Sequence, residues 1–135
     1  MKKLILLALA GAAAGCTANE PVQMSADDES RLNAELAGYE QSGPPVSCIS
    51  TRDLRSNRSA GEGAIIFDGP TRQTLYVNRP AGGCPELGAG RALVTRTTTT
   101  QLCRGDIATV FDTASSMQYG GCGLGDFTPY RRVRS

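Results

Sequence analysis

Four cysteines beyond Cys16 and the lack of any histidine limit what this chain can fold into more than any other feature. Cys48, Cys84, Cys103 and Cys122 are spread over a segment too short to bury a large core, and an even number of cysteines in an exported protein reads as a disulfide framework. Zinc is the competing use. The spacings of 36, 19 and 19 contain no CxxC pair and the chain lacks histidine, so no metal centre is expected. A reactive thiol needs a cation or base beside it, and Arg104 next to Cys103 is the one neighbour of that kind in sequence. Two bridges are therefore expected, each worth on the order of 2 to 4 kcal/mol through restriction of the unfolded chain. Four cysteines allow three connectivities. The pairing favoured here is Cys48 with Cys122 and Cys84 with Cys103, because the first and last strands of a small closed sheet often meet.

Export is read from the N-terminus. Met1-Lys2-Lys3 precedes the apolar run Leu4 to Ala10 and the small residues Gly11 to Gly15, the order of a secretory signal peptide. That run falls well short of the ~20 residues a membrane-crossing helix needs. Ala13-Ala14-Gly15-Cys16 resembles the lipobox of bacterial lipoproteins, with Ala13 where leucine is usual. The resemblance implies a signal peptide over residues 1–15, a lipidated Cys16 and a tether over residues 16–24. Three acyl chains at about 0.8 kcal/mol per buried methylene would hold the protein at a membrane without further contacts. Thr17 is not the aspartate that signals inner-membrane retention, so an outer-membrane address facing the periplasm is expected. Ordinary cleavage among the alanines, which leaves a soluble periplasmic protein, is the alternative.

Loss of residues 1–15 removes both lysines and leaves twelve arginines against thirteen acids. Residues 17–45 hold Glu20, Asp27, Asp28, Glu29, Glu35 and Glu40 against Arg31 alone, whereas residues 46–135 hold eleven arginines against seven acids. An acidic lead precedes a basic domain.

Ser25 suits a helix cap, and Leu32, Leu36 and Tyr39 recur at helical spacing, so a short helix is expected over about 26–40, within a helix-and-connector segment spanning 25–45. Gly43-Pro44-Pro45 stops it. The β domain, residues 46–135, reads as six strands: 46–49, 64–67, 74–78, 92–97, 106–111 and 127–133. Asp68 to Arg72 joins the second and third as a hairpin, and Pro80 and Pro85 make residues 79–85 a loop. The expected fold is all-β or mainly β: a small six-stranded sheet or partly closed barrel, one short N-terminal helix and two disulfides.

The runs Pro45 to Ile49, Asn78 to Pro85, Gln101 to Ile107 and Phe127 to Tyr130 resemble a family of small exported proteobacterial proteins of unknown function, lipoproteins with four domain cysteines. The resemblance covers nearly all of residues 32–133. It implies no reaction, ligand or catalytic residue.

Histidine-dependent triads are excluded, and serine–lysine catalysis fails without a lysine in the mature chain. Asp68, Glu86, Asp106, Asp112 and Asp126 are the carboxylates a glycoside hydrolase would draw on, although Asp68 before Gly69 and Asp106 after Gly105 suit ordinary turns. Candidate anion-binding residues are Arg52, Arg55 and Arg58, spaced by three, and Arg131, Arg132 and Arg134, since guanidinium forks suit phosphate and carboxylate; the competing reading is a solvated rim neutralised by the acidic lead. Thr97 to Thr100 reads as an exposed strand end. No cofactor and no nucleic-acid partner are expected. The leading function is a non-catalytic binding or structural lipoprotein of the envelope, partnered by an envelope protein or an anionic envelope polymer. A carboxylate-dependent hydrolase of an envelope polysaccharide is one alternative. An inhibitor or adaptor using the loop Arg79 to Leu87 is another. For the anchor, Cys16→Ser is expected to abolish lipid labelling and to move the protein to the soluble periplasmic fraction; a variant that stays membrane-bound would refute the lipobox reading.

Overall fold

The computed structural model describes residues 23–88 and 90–134. The expected signal peptide (1–15), Cys16 and most of the expected tether (16–24) lie outside these residues. Helix α1 (Ala26–Glu35) is followed by ten strands: β1 (Tyr39–Gln41), β2 (Cys48–Ser50), β3 (Ser56–Ala60), β4 (Ala64–Asp68), β5 (Thr74–Asn78), β6 (Ala92–Thr95), β7 (Gln101–Cys103), β8 (Ile107–Asp112), β9 (Met117–Gly123) and β10 (Phe127–Arg132), with a single 3-10 turn at Thr51–Asp53. No described helix is long and apolar enough to cross a membrane.

The unbroken apolar run Ala64-Ile65-Ile66-Phe67 organises the layers. A strand with no polar alternation has to be covered on both faces, and all four residues are at most 2% exposed. Ile65 and Phe67 face one core with Phe127, Leu93, Val110 and Leu102. Ala64 and Ile66 face another with Leu32, Leu75 and Val77. A five-stranded antiparallel sheet in the order β1-β10-β5-β4-β3 thus lies between α1 on one side and the three-stranded sheet β6-β8-β9 on the other, with the ribbon β2-β7 completing the first core. Phe67 and Phe127 meet edge to face at 5.6 Å, a favoured aromatic geometry. Burying Ile65, Ile66 and Phe67 contributes about 1.5 to 3 kcal/mol each.

The mainly β class, the single short helix, the β4–β5 hairpin and the loop at residues 79–85 are as expected from sequence. The strand count and closure are not. Strands β1, β3, β7 and β9 were not anticipated, and the strands form three sheets rather than one six-stranded sheet or barrel. A strand buried on both faces calls for a layer on each side, which a small closed barrel does not provide. The helix also ends earlier than expected. Ser25 caps it by accepting from Asp28 N–H, but Gly38 at φ +79° turns the chain, and Tyr39 packs on the second core from a strand paired with Arg132. Thr97 to Thr100 forms no strand; the Thr97 and Thr99 hydroxyls bond locally to the Gln101 carbonyl.

Pro129 sits inside β10, a strand paired on both sides. Its carbonyl accepts from Ser42 N–H on the β1 side, and because a residue's N–H and C=O point the same way across a strand, its missing donor also faces that side, beyond the last β1 pair at Gln41.

The disulfides join Cys48 to Cys103 and Cys84 to Cys122, correcting the pairing favoured from sequence. The two ends of the β domain do meet, through the bridge between Val46 and Phe127. Cys122 is not at that meeting point. It lies on β9 opposite Ala108, whereas Cys48 on β2 faces Cys103 across the ribbon. Loop entropy assigns about 4 kcal/mol to each crosslink. Their surroundings differ: Cys84 and Cys122 are core residues at 0% and 5% exposure, while Cys48 is exposed and Cys103 half-buried. Reduction depends on access to sulfur. Graded reductant in native buffer is therefore expected to release first two thiols that map to Cys48 and Cys103, and the second pair only with unfolding. Non-reducing peptide maps that join Cys48 to Cys122 would contradict the fold.

Candidate functional site

The strand register gathers arginines that are far apart in sequence. Ser56 pairs with Asp68, Asp68 with Leu75, Thr74 with Arg131 and Arg132 with Tyr39, so the start of β3, the β4–β5 turn and the end of β10 share one end of the five-stranded sheet. Arg55, Arg58, Arg72, Arg131 and Arg132 stand there, with Arg134 just beyond β10. Arg52 lies on the 3-10 turn, whose flank is tied to the β7 side through Thr51 N–H and the Thr100 carbonyl. Four of the six arginines singled out in the sequence are thereby brought together. Arg72 was missed, because its turn position gave no sign that the hairpin ends beside the last strand of the chain.

A recess of about 220 Å³ opens at this sheet end, lined by Tyr39, Arg55, Ser56, Asp68, Thr71, Arg72 and Thr74. Its walls are held from several directions. Tyr39 Oη–H donates to the Arg72 carbonyl at 2.9 Å, Arg55 N–H to the Asp68 carbonyl at 3.0 Å, and Arg132 N–H to the Gln73 carbonyl at 2.8 Å. The Arg132 guanidinium lies over the Tyr39 ring at 5.3 Å.

Arg58 is committed to the fold. Its Nε donates to Glu35 at 2.8 Å and its Nη1 to Asp68 at 2.5 Å, joining α1 to the sheet. Burial by itself would lower the Arg58 guanidinium, but the hydrogen bonds to Asp68 and Glu35 outweigh it and raise the group above its ordinary value. Asp68 responds in the opposite direction. Burial would raise its carboxyl, yet the hydrogen bonds from Arg58 and Ser56 and the charges of Arg58 and Arg55 hold it below the usual range. Arg55 and Arg72 form no ion pair with any described residue.

A second concavity is larger. A groove of about 760 Å³ runs between the N-terminus of α1 and residues 79–85, with Met24, Asp28, Glu29, Glu62, Arg79 and Pro80 among its walls. Asp28 accepts from Glu62 N–H and Gly63 N–H, both at 3.1 Å, and so clamps α1 to the β3–β4 turn. Gly61, at φ +72°, leaves no room for a Cβ beside that carboxylate. Glu62 holds the loop in turn: its carbonyl accepts from Cys84 N–H at 2.7 Å and its side chain from Glu86 N–H at 3.0 Å. Arg79 faces Glu29 at 3.7 Å. The acidic lead therefore neutralises part of the basic domain, through Glu35 and Glu29, and none of its described acids pairs with the recess arginines.

No two of the five candidate carboxylates line the same concavity. Asp68 is held as described. Glu86 pairs with Arg91, and Asp106 accepts from Cys103 N–H at 2.7 Å. The Ser115 and Ala114 amides hold Asp112 below its usual range in an exposed turn, and Asp126 faces Arg104 at 3.5 Å. No group of three or more potential metal ligands occurs among the described residues. Comparison of the chain with family models, curated proteins and solved structures gives no match.

Asp68 titrates lower in the folded protein than in the unfolded chain, where about 3.9 applies. Its stabilisation is thus present above about pH 4 and is lost as pH falls through the lower folded value. Asp68→Asn removes that contribution, so its urea midpoint is expected to change less between neutral and acid pH than that of the wild type. Equal acid sensitivity would show that Arg58 does not hold the carboxylate.

Proposed function

We propose that the protein is a non-catalytic cell-envelope lipoprotein, anchored through Cys16 and favouring the outer membrane, whose disulfide-braced β domain binds an envelope protein or an anionic envelope polymer. The observation behind this reading is the use of the acids. Each of the five carboxylates that glycoside cleavage would draw on is engaged in its own local contact, whereas a glycosidase needs two that face one bond from within about 10 Å. Exported disulfides and a lipobox-like Cys16 support the compartment.

The adaptor alternative draws on a specific feature of the large groove. Its loop is rigid: Cys84 is bonded to Cys122, Gly83 N–H donates to the Pro80 carbonyl at 2.9 Å, Glu62 accepts twice, and Leu87 is buried. Ala81 and Gly82 stand exposed at the tip. A loop ordered before contact loses little entropy on binding. Capture from envelope extracts on the purified mature protein is expected to retain a protein or polymer. Gly82→Arg should weaken capture at least tenfold if the loop is the contact, while leaving thermal stability unchanged. The binding reading fails if deleting the gene removes a specific enzymatic activity that purified protein restores.

A further inference from the structure

The recess at the arginine-rich sheet end carries an inference about ligand chemistry that rests on the binding reading above. Arg55 approaches from the start of β3 and Arg72 from the β4–β5 turn, and both line the same concavity without an ion-pair partner among the described residues. The carboxylate in the wall, Asp68, is already held by Arg58 and Ser56. It feels the Arg55 charge without pairing with it, so one carboxylate stands against two guanidinium groups that form no ion pair with any described residue. Two hydroxyls are also left over. Thr71 Oγ1 accepts from Gln73 N–H, which leaves its own proton to donate, and buried Thr74 Oγ1 has no hydrogen-bond partner.

This arrangement distinguishes among anions. A carboxylate is satisfied by one guanidinium fork through two parallel hydrogen bonds. Two forks from separate elements, with a hydroxyl beside them, suit a tetrahedral group that offers three acceptor oxygens and carries close to two charges, which is what a phosphate monoester does near neutral pH. The backbone of both arginines is fixed in advance, Arg55 by the Asp68 carbonyl and Arg72 by Tyr39, so binding has only the two side chains to order. Arg131 and Arg132 at the same end add attraction at longer range.

We propose that this recess binds the phosphoryl group of a phosphate monoester, clamped between Arg55 and Arg72 with the Thr71 hydroxyl donating to a third oxygen. An envelope polymer and a lipid headgroup can each present such a phosphoryl group, and the chemistry at the recess is the same for both.

The test uses the full mature chain with Cys16→Ser, titrated with glycerol 3-phosphate and, separately, with acetate, while the arginine Nε–H signals are followed by NMR. Glycerol 3-phosphate is expected to shift the Arg55 and Arg72 signals at concentrations where acetate does not. Arg55→Gln and Arg72→Gln should each weaken binding about tenfold or more, and Arg96→Gln, an exposed change on the β6 side, should leave it unchanged. Vesicles of phosphatidic acid in phosphatidylcholine that capture the protein through these arginines place the phosphoryl group on a headgroup; binding of the soluble ester without vesicle capture places it on a polymer. Absence of glycerol 3-phosphate binding, equal shifts with acetate, or affinity unchanged in both arginine variants would overturn the proposal. Partner capture from envelope extracts that survives the Arg55→Gln, Arg72→Gln double change would, with such a result, discard the recess and leave the binding reading standing.

Discussion

Burial of β4 on both faces is the constraint from which the rest of the molecule follows. Four consecutive residues without a polar side chain cannot face water on either side, so the chain must supply two different covers. The helix supplies one through Leu32 and Leu36, and the three-stranded sheet supplies the other through Leu93, Ala108, Val110 and Cys122. With cores this small, the covers need fastening. Cys84–Cys122 ties the outer sheet to the loop after β5 from inside the first core, and Asp28 ties the helix to the turn that opens β4. Asn78, the one fully buried polar side chain among the described residues, exchanges two hydrogen bonds with Gly125 at 2.7 and 2.9 Å and fixes the entry to β10. Buried polar groups of this kind are tolerated only when fully paired.

The layered arrangement also decides where charge accumulates. Because β4 and β5 form a hairpin and β10 returns beside β5, the chain's closing arginines arrive next to the turn that carries Arg72 and the strand start that carries Arg55. The helix runs from the Asp28 clamp to Glu35 and brings one acid to Arg58, but none to Arg55 or Arg72. The basic end is thus a consequence of topology, with partial internal neutralisation. Its electrostatic character is local, since the chain as a whole is close to neutral.

Much of the fold was legible because its signals were local. The run Ala64 to Phe67, the alternation from Thr74 to Asn78 and the prolines at 80 and 85 each specify a conformation within a few residues. Four strands were not legible for a matching reason. Ser56 to Ala60 and Met117 to Gly123 carry little bulky apolar content and are strands because a neighbour pairs with them. Tyr39 keeps helical spacing with Leu32 and Leu36 and reaches the same core from a strand. The cysteine pairing failed at long range: terminal contact was anticipated and occurs between Val46 and Phe127, yet Cys122 precedes that contact and belongs to a different sheet. The arginine triplets were visible as composition, whereas their convergence and the role of Arg72 depend on register, which composition does not encode.

The central claim is that one register joins the β4–β5 hairpin to β10 and thereby unites the two arginine groups. Cross-strand backbone contacts measured by NMR on the oxidised mature chain test it most directly. The account predicts contacts between Arg131 and Thr74, between Arg132 and Tyr39, and between Ser56 and Asp68 within a single spectrum. A spectrum in which β10 pairs instead along β3, or in which its register against β5 is shifted by a residue so that Phe127 leaves the core, would contradict it.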